Sequence, residues 1–551
     1  MLATLVSFLV APPADLVLEH ATLWTNGRTI RDATIGIRGG LFVHVGRPRA
    51  DLIGPNTKVV DAATKVVLPG IIDSHMHLMR GGIRLNSLIL SGTKDRADFL
   101  QRVQDWAEKL QPGQWVIGSG WSSDGWPDKT QPTREWLDKV TGDHPAALTR
   151  MDGHSVLLNS KALQLMSITK EGPANPTGGS IDRDPATGEP TGLLREIAMG
   201  LLKLPPTSPD QIYEAFKMAV KMANSQGITA ASEIGTILDF GAYRRYAQTE
   251  PTIRLALYPV ATNWSTDVSM VQSFTGVPSW VEARGVKGYM DGTLGSRTAF
   301  MFAPFTKPLP DQTSPTGLPR PGFGDGTYAK GIKTFADAGL QVLFHSIGDR
   351  ANSETLSLYE ANASNLKELR FRVEHAQHLT SADILRFAKL GVIASMQPFH
   401  KADDGQYCEE VIGTERSRTS YAYKDLLKSG ARLAFGSDWP VVTANPWLGI
   451  ETAVTGRILT GSVWMPHQNI SVDEALKAYT VGGAYAMGRE RDLGQVAVGF
   501  RADFLIMNSS PFERKPVWNT MAPERVWVNG KEISVAKSGP AANGGAPDDC
   551  D

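Results

Sequence analysis

His75 and His77 close the string LPGIIDSHMH, in which Pro69–Gly70 makes a break and Ile71–Ile72 reads as a buried strand. Side chains at i and i+2 of a strand point to the same side. Two imidazoles aimed at one point form a chelate for a divalent metal such as Zn²⁺, Ni²⁺ or Fe²⁺. A bare His-x-His is also what a pair of ordinary polar residues at a strand end looks like, so further donors downstream must decide.

Such donors occur at four more places. GVKGYMDG carries Lys287 inside an otherwise apolar run. A buried lysine is costly unless it is deprotonated, paired or modified. Carbamylation by CO₂ converts the amine to an anionic carboxylate able to bridge two metals. Snorkelling, or pairing with Asp291, is the plain alternative. His345 lies in FHSIGD, His375 in VEHAQH with His378 close behind, and Asp438 in GSDWP. Any one of these alone reads as a satisfied structural residue, whereas six donors in chain order point to a metal centre.

The elements that must position them are short strands alternating with helices. Strand candidates are Val67–His77, Ile228–Glu233, Ile253–Tyr258, Val286–Asp291, Val342–His345, Phe371–His375, Val392–Gln397 and Leu433–Asp438, most of them ending in polar residues. Helical patterns such as Gln211–Ser225 and Asp383–Leu390 separate most of them. Eight strands with helical crossovers predict an α/β fold, a (β/α)₈ TIM barrel over residues 68–489 with its site at the C-terminal strand ends. The gap from His77 to Ile228 is too long for one crossover, so residues 85–205 are read as an insertion after the first strand, over the barrel mouth. Residues 15–67 and 490–535 are β-rich and predict a small composite β-sandwich built from both termini. The tail, 538–551, is rich in Gly, Pro, Ala and Asp and reads as disordered.

Bulk properties bound the function. The 551 residues carry 56 Lys+Arg against 57 Asp+Glu, so no charge excess points to nucleic acid or an anionic membrane. Hydrophobic residues at 42% fit a globular enzyme with a small-molecule substrate. Oligomeric state stays open, a homo-oligomer included. Cys408 and Cys550 are the two cysteines, and with Cys550 in the polar tail no disulfide between them is expected. Without Cys-x-x-Cys, any metal must be held by His, carboxylate or a modified lysine. The apolar run MLATLVSFLVA is too short to span a bilayer, and no integral membrane segment is expected. With Ala11–Pro–Pro–Ala14 following, residues 1–14 resemble a secretion signal that lacks its positive start. A plain N-terminal strand reads the same way, which leaves cytoplasmic and exported locations equally open.

The strings LPGIIDSHMHL, RMDGHSVLLNSKAL, VKGYMDGTLGSRTA, LFHSIGDRA, RFRVEHAQHL and FGSDWPV resemble the amidohydrolase superfamily, particularly its amidohydrolase-3 branch. The resemblance runs from Asp15 to about Val528. It implies a binuclear centre of two divalent metals per chain, Zn²⁺ or another. In that pattern His75 and His77 hold the α metal, His345 and His375 the β metal, carboxylated Lys287 bridges them, and Asp438 binds the α metal and moves protons. His375 is preferred to His378 because the Glu–His–Ala step matches the branch. The resemblance also draws in Asp152–Gly153–His154, where His154 would hold substrate or the developing oxyanion; a simple Asp-Gly turn is the alternative. Trp121, Trp126 and Trp439 could form an aromatic wall or simply pack.

The chemistry so implied is hydrolysis of a C–N amide-type bond (an N-acyl amine, a formamide or a cyclic amide) by metal-activated hydroxide. An esterase, lactonase or phosphotriester hydrolase on the same centre, a mononuclear deaminase, and a non-catalytic scaffold are the other readings. Lys287 counts against the deaminase, and the complete donor set against the scaffold. Substrate identity is not readable; loop 293–321 and segment 401–423, with Arg297, Arg320, Arg416 and Arg418, permit an acidic substrate without requiring one.

Overall fold

Gly70 joins two structures. The strand Val66–Pro69 ends at it and the strand Ile71–Met76 begins directly after. A Cβ at Gly70 would lie 2.1 Å from Thr229 Oγ1, so only glycine allows this close passage between neighbouring strands. The computed structural model describes residues 12–534 apart from 152, 206–207, 250, 310–311 and 313. Most of the signal-like segment 1–14, the tail 538–551, Cys550 and Asp152 therefore lie outside the described residues. Cys408 is buried and free. Among the described residues, no helix is long and apolar enough to cross a membrane.

The chain divides into two compact units, one of residues 1–79 with 219–551 and one of residues 80–218. In the first, strands from both ends of the chain share one eight-stranded sheet. Its order is Lys531–Ile533, Pro523–Val528, Phe504–Met507, Val66–Pro69, Leu16–Thr25, Arg28–Arg38 and Leu41–Gly46, with Lys58–Asp61 also pairing to Leu16–Thr25. Leu18, Leu23, Ile35, Phe42 and Phe504 are buried together, and Phe504 stacks on Trp527 with centroids 4.7 Å apart. The hydrogen bonds join the strands of both expected β-rich segments into this one sheet. Arg254 ties this sheet to its neighbour through a buried ion pair with Asp503 at 2.7 Å.

The rest of this unit holds two parallel sheets flanked by helices. One is ordered Ile71–Met76, Ile228–Glu233, Arg254–Leu257, Val281–Ala283. The other is ordered Gly285–Tyr289, Gln341–Ser346, Arg372–His375, Ile393–Met396, Arg432–Phe435. Each expected strand segment overlaps one of these strands, and Val281–Ala283 is an additional short one. A parallel bridge joins Val260 to Lys287, where Lys287 N–H donates to the Pro259 carbonyl at 3.0 Å. At the other edge, Asp438 N–H donates to the His75 carbonyl at 2.7 Å and His77 N–H to that of Trp439 at 2.9 Å. The helix Ser381–Leu390 shows how the flanks are punctuated: Thr380 caps it by accepting from Asp383 N–H, and Gly391 at φ 70° ends it.

Gly436 lets the last strand approach the first. A Cβ there would lie 2.5 Å from the His75 nitrogen and 2.7 Å from Asp73 Oδ1. Gly436→Ala is expected to cost about 1–3 kcal/mol through this overpacking. A lowered thermal midpoint is the expected reading, and an unchanged midpoint would contradict it.

The unit of residues 80–218 has its own six-stranded sheet, ordered Gly179–Arg183, Pro190–Glu196, Ser155–Leu158, Ala146–Arg150, Val116–Trp121, Leu88–Ile89. Trp121 and Trp126 are buried in its core with Phe99 and Leu148. Their indole N–H groups donate to the carbonyls of Leu148 and Thr93 at 2.8 and 2.9 Å. Both are thus packing residues of this unit.

Candidate metal centre

Asp438 is the focus of the site. It lies three residues past the strand Arg432–Phe435, with φ at 60°, in the left-handed region that costs most side chains energy. His375, at the end of its strand, has φ 73°, and Ala376 has φ 45°. Strained backbone of this kind, about 1–3 kcal/mol per residue, persists where the surroundings over-determine it. Here the strain turns both side chains toward one buried point.

Four imidazoles face the Asp438 carboxylate. His75 Nε2 and His77 Nε2 lie 3.3 and 3.1 Å from Oδ1. His375 Nδ1 and His400 Nε2 lie 4.0 and 3.4 Å from Oδ2. Donor atoms of His75, His375 and Asp438 all fall within 4.8 Å of one another. His75 Nε2, His375 Nδ1 and His400 Nε2 are buried atoms with no hydrogen-bond partner. Buried polar atoms are rarely left this way, so three of them around one carboxylate fit a bound cation or substrate.

The opposite ring nitrogens are anchored. His77 Nδ1 is 2.9 Å from the Ile234 carbonyl, which fixes the proton there and leaves Nε2 as the lone-pair nitrogen. His75 Nδ1 is 2.5 Å from Glu374 Oε2. Glu374 Oε1 in turn accepts from Arg372 Nε at 2.7 Å, and the same guanidinium donates to Ser232 Oγ, Ser395 Oγ and the Ser74 carbonyl. Such a carboxylate–histidine relay orients a metal ligand and raises its basicity. Asp73 braces the first and last strands together by accepting from the His75 and Ser437 N–H groups.

Lys287 is 1% exposed, with Nζ 4.6 Å from the centroid of the Tyr289 ring. Its charge acts on His75, His345 and His375. His345 Nε2 lies 3.1 Å from the Gly292 carbonyl, and its ring is 4.4 Å from that of His375. Burial and Lys287 push the His345 pKa down to about 3, and burial with His345 holds His375 well below its ordinary value. Both are neutral at pH 7, the form a metal requires. Burial opposes ionisation of Glu374, but Arg372 and His75 outweigh it and hold its carboxyl at about 2. Burial likewise opposes ionisation of Asp438, and the surrounding imidazoles overcome it, keeping this carboxyl well below its usual range.

Asp291 accepts backbone N–H bonds from Phe300, Ile347 and Gly348, shaping the loops after two strands. His378 turns to Ser420 Oγ at 2.8 Å rather than to Asp438. Arg297 and Arg416 spend donors on backbone carbonyls of Leu294, Gly295, Lys307, Ile412, Ala303 and Pro304. His154 belongs to the other unit, where it is exposed and its Nδ1 lies 3.1 Å from Glu196 Oε2. Sequence reasoning missed the anchoring role of Glu374 and Arg372 and overlooked His400. The alternation Arg372–Val373–Glu374 puts both polar side chains on the inward face of one strand, a signal that was available. His400 had none, because it lies in a helix, Pro398–Asp404, beyond the strand end.

The amidohydrolase family model matches residues 58–533. The chain is similar to Protein LONG AFTER FAR-RED 3 of Arabidopsis thaliana, at 34% identity over 95% of this chain and 93% of the relative. It is also similar to the N-substituted formamide deformylase of Arthrobacter pascens, at 26% identity over 91% of this chain and 94% of that enzyme. Among solved structures, a metal-dependent hydrolase from Pyrococcus furiosus, described as uncharacterized, superposes with a TM-score of 0.71 at 26% identity, covering 90% of this chain and all of that one.

Proposed function

The chain belongs to the amidohydrolase family, and we propose that this metal-dependent hydrolase cleaves a carbon–nitrogen amide-type bond of an N-acyl amine, formamide or cyclic amide. The observation that carries the proposal is the Asp438 carboxylate bracketed by imidazole nitrogens, several of them buried and unpartnered. Similarity to a formamide deformylase supports the bond type. We infer that His75, His77 and Asp438 would hold one divalent ion, His345 and His375 a second, and Lys287, carboxylated, would bridge them. Zinc is the proposed ion, since neutral imidazole and carboxylate donors suit it. When bound, such ions supply Lewis acidity that polarises a carbonyl and lowers the pKa of water toward neutrality.

The residues do the rest. Asp438 Oδ1 faces His75 and His77, which leaves Oδ2 to take a proton from the attacking water. The new C–O bond forms, the C–N bond breaks, and the proton passes from Oδ2 to the departing nitrogen. Glu374 keeps His75 in the tautomer whose Nε2 is a lone pair. Glu374→Gln is expected to weaken metal affinity about 10–100-fold, measured by competition with a chelator, and unchanged affinity would refute that role. His154 remains in the proposal as a donor to substrate, the role that the family resemblance gives it.

The fold reading is part of the same proposal. We infer that the two parallel sheets close into one (β/α)₈ barrel, supported by the bonds at both of their edges. Within it, 68–489 is the barrel, 85–205 its insertion, and 15–67 with 490–535 a β-sandwich. A one-metal deaminase is the second reading, favoured by the single tight group of His75, His375 and Asp438. Elemental mass spectrometry on protein grown with zinc and bicarbonate decides between them, beside a panel of formamides, N-acyl amines, cyclic amides, esters and aminopurines. About two metals per chain and turnover of amides support the proposal. One metal with turnover of aminopurines, or turnover of esters alone, replaces it.

A further inference from the structure

His400 lies on the same carboxylate as the proposed ligands yet stands outside their tight group. Its Nε2 is 3.4 Å from Asp438 Oδ2, without a hydrogen-bond partner. Its side chain is 14% exposed, close to the 12% of His77 and more open than His75 at 0% and His375 at 3%. The helix Pro398–Asp404 that carries it is anchored through Lys401 and Asp404. Asp404 accepts from Tyr407 and Tyr421 hydroxyls at 2.6 and 2.5 Å. Lys401 Nζ donates to Asn469 Oδ1 and the Met465 carbonyl at 3.3 and 3.4 Å. A Cβ on Gly405 would lie 2.6 Å from the Ile458 side chain, so the residue after the helix packs closely there. A ring carried on a helix anchored in this way, with one nitrogen unspent beside the proton-moving carboxylate, is placed to donate.

Building on the hydrolase reading, we propose that His400 is a catalytic residue that donates its Nε2–H to the substrate oxygen as it becomes an oxyanion. Water adds to the carbonyl carbon, the C=O electron pair moves to oxygen, and His400 stabilises that oxygen by a hydrogen bond without giving up its proton. The C=O bond re-forms as the leaving group departs. The ligand class is therefore a tetrahedral oxyanion placed across Oδ2 from His75 and His77.

The test compares parent, His400→Ala and His400→Gln for metal content, kcat on any amide or ester the parent turns over, and affinity for phenylphosphonate by calorimetry. His400→Ala is expected to keep its metal, lose about 10²–10³-fold in kcat with a smaller change in KM, and bind the phosphonate at least about tenfold more weakly. The Gln carboxamide carries an N–H to nearly the same place, so His400→Gln should recover about tenfold over Ala in both readouts. Loss of metal in His400→Ala, phosphonate affinity equal to the parent's, or no phosphonate binding by the parent would overturn the proposal. Turnover of esters but not amides sinks the C–N reading and leaves His400 tested on the ester.

Discussion

Asp438→Asn is expected to lower kcat/KM by about 10³-fold or more, a loss near 4 kcal/mol of transition-state stabilisation, while some metal stays bound. The variant is a clean one. Asparagine tolerates the left-handed backbone that Asp438 adopts at φ 60°, so the turn that presents the side chain should survive. What disappears is the negative charge among the imidazoles and the capacity of Oδ2 to carry a proton. Steady-state kinetics paired with metal analysis separate these effects. A variant that keeps more than about a tenth of the parental rate would remove Asp438 from the proton path.

Lys287→Ala is expected to take metal content from about two per chain to about one and to reduce turnover about as far. Lys287 is almost wholly buried, on a strand paired with the one that carries His345, and a bare ammonium there would repel metal ions. Carbamylation would answer both difficulties: the amine would add to CO₂ with loss of a proton, and an anionic carboxylate would stand in place of a cation. Activity of the parent should then depend on bicarbonate during metal loading, and added propionate should partly restore the variant. Metal content that ignores both Lys287 and bicarbonate would end the bridged reading.

The candidate donors His75, His77, His345, His375 and Asp438 were legible because each lies at or just past the end of a short apolar strand, whereas Lys287 stands inside one. His75 and His77 follow the period of two, and Asp438 follows a Gly–Ser turn that signals the strand's end. What surrounds them was not legible. His400 reaches the site from a helix turn, and its approach to Asp438 is set by Asp404, Tyr407 and Tyr421, contacts without a sequence period. The Glu374–His75 contact joins residues 299 apart, which only the parallel register of the sheets brings together. For Trp121 and Trp126, residue type alone left pocket wall and core both open, and the structure packs the two in a core.

The strand Val66–Pro69 lies between Leu16–Thr25 and Phe504–Met507. On a ribosome adding about 5–20 residues per second, its second neighbour emerges tens of seconds after its first. The opening strands must wait through the synthesis of almost the entire enzyme, holding an unpaired edge, before Asp503 can reach Arg254. Completion of the fold is therefore a late event coupled to the chain's last strands. A nascent polypeptide stalled before residue 503 should remain protease-sensitive throughout its first seventy residues and a burden for chaperones.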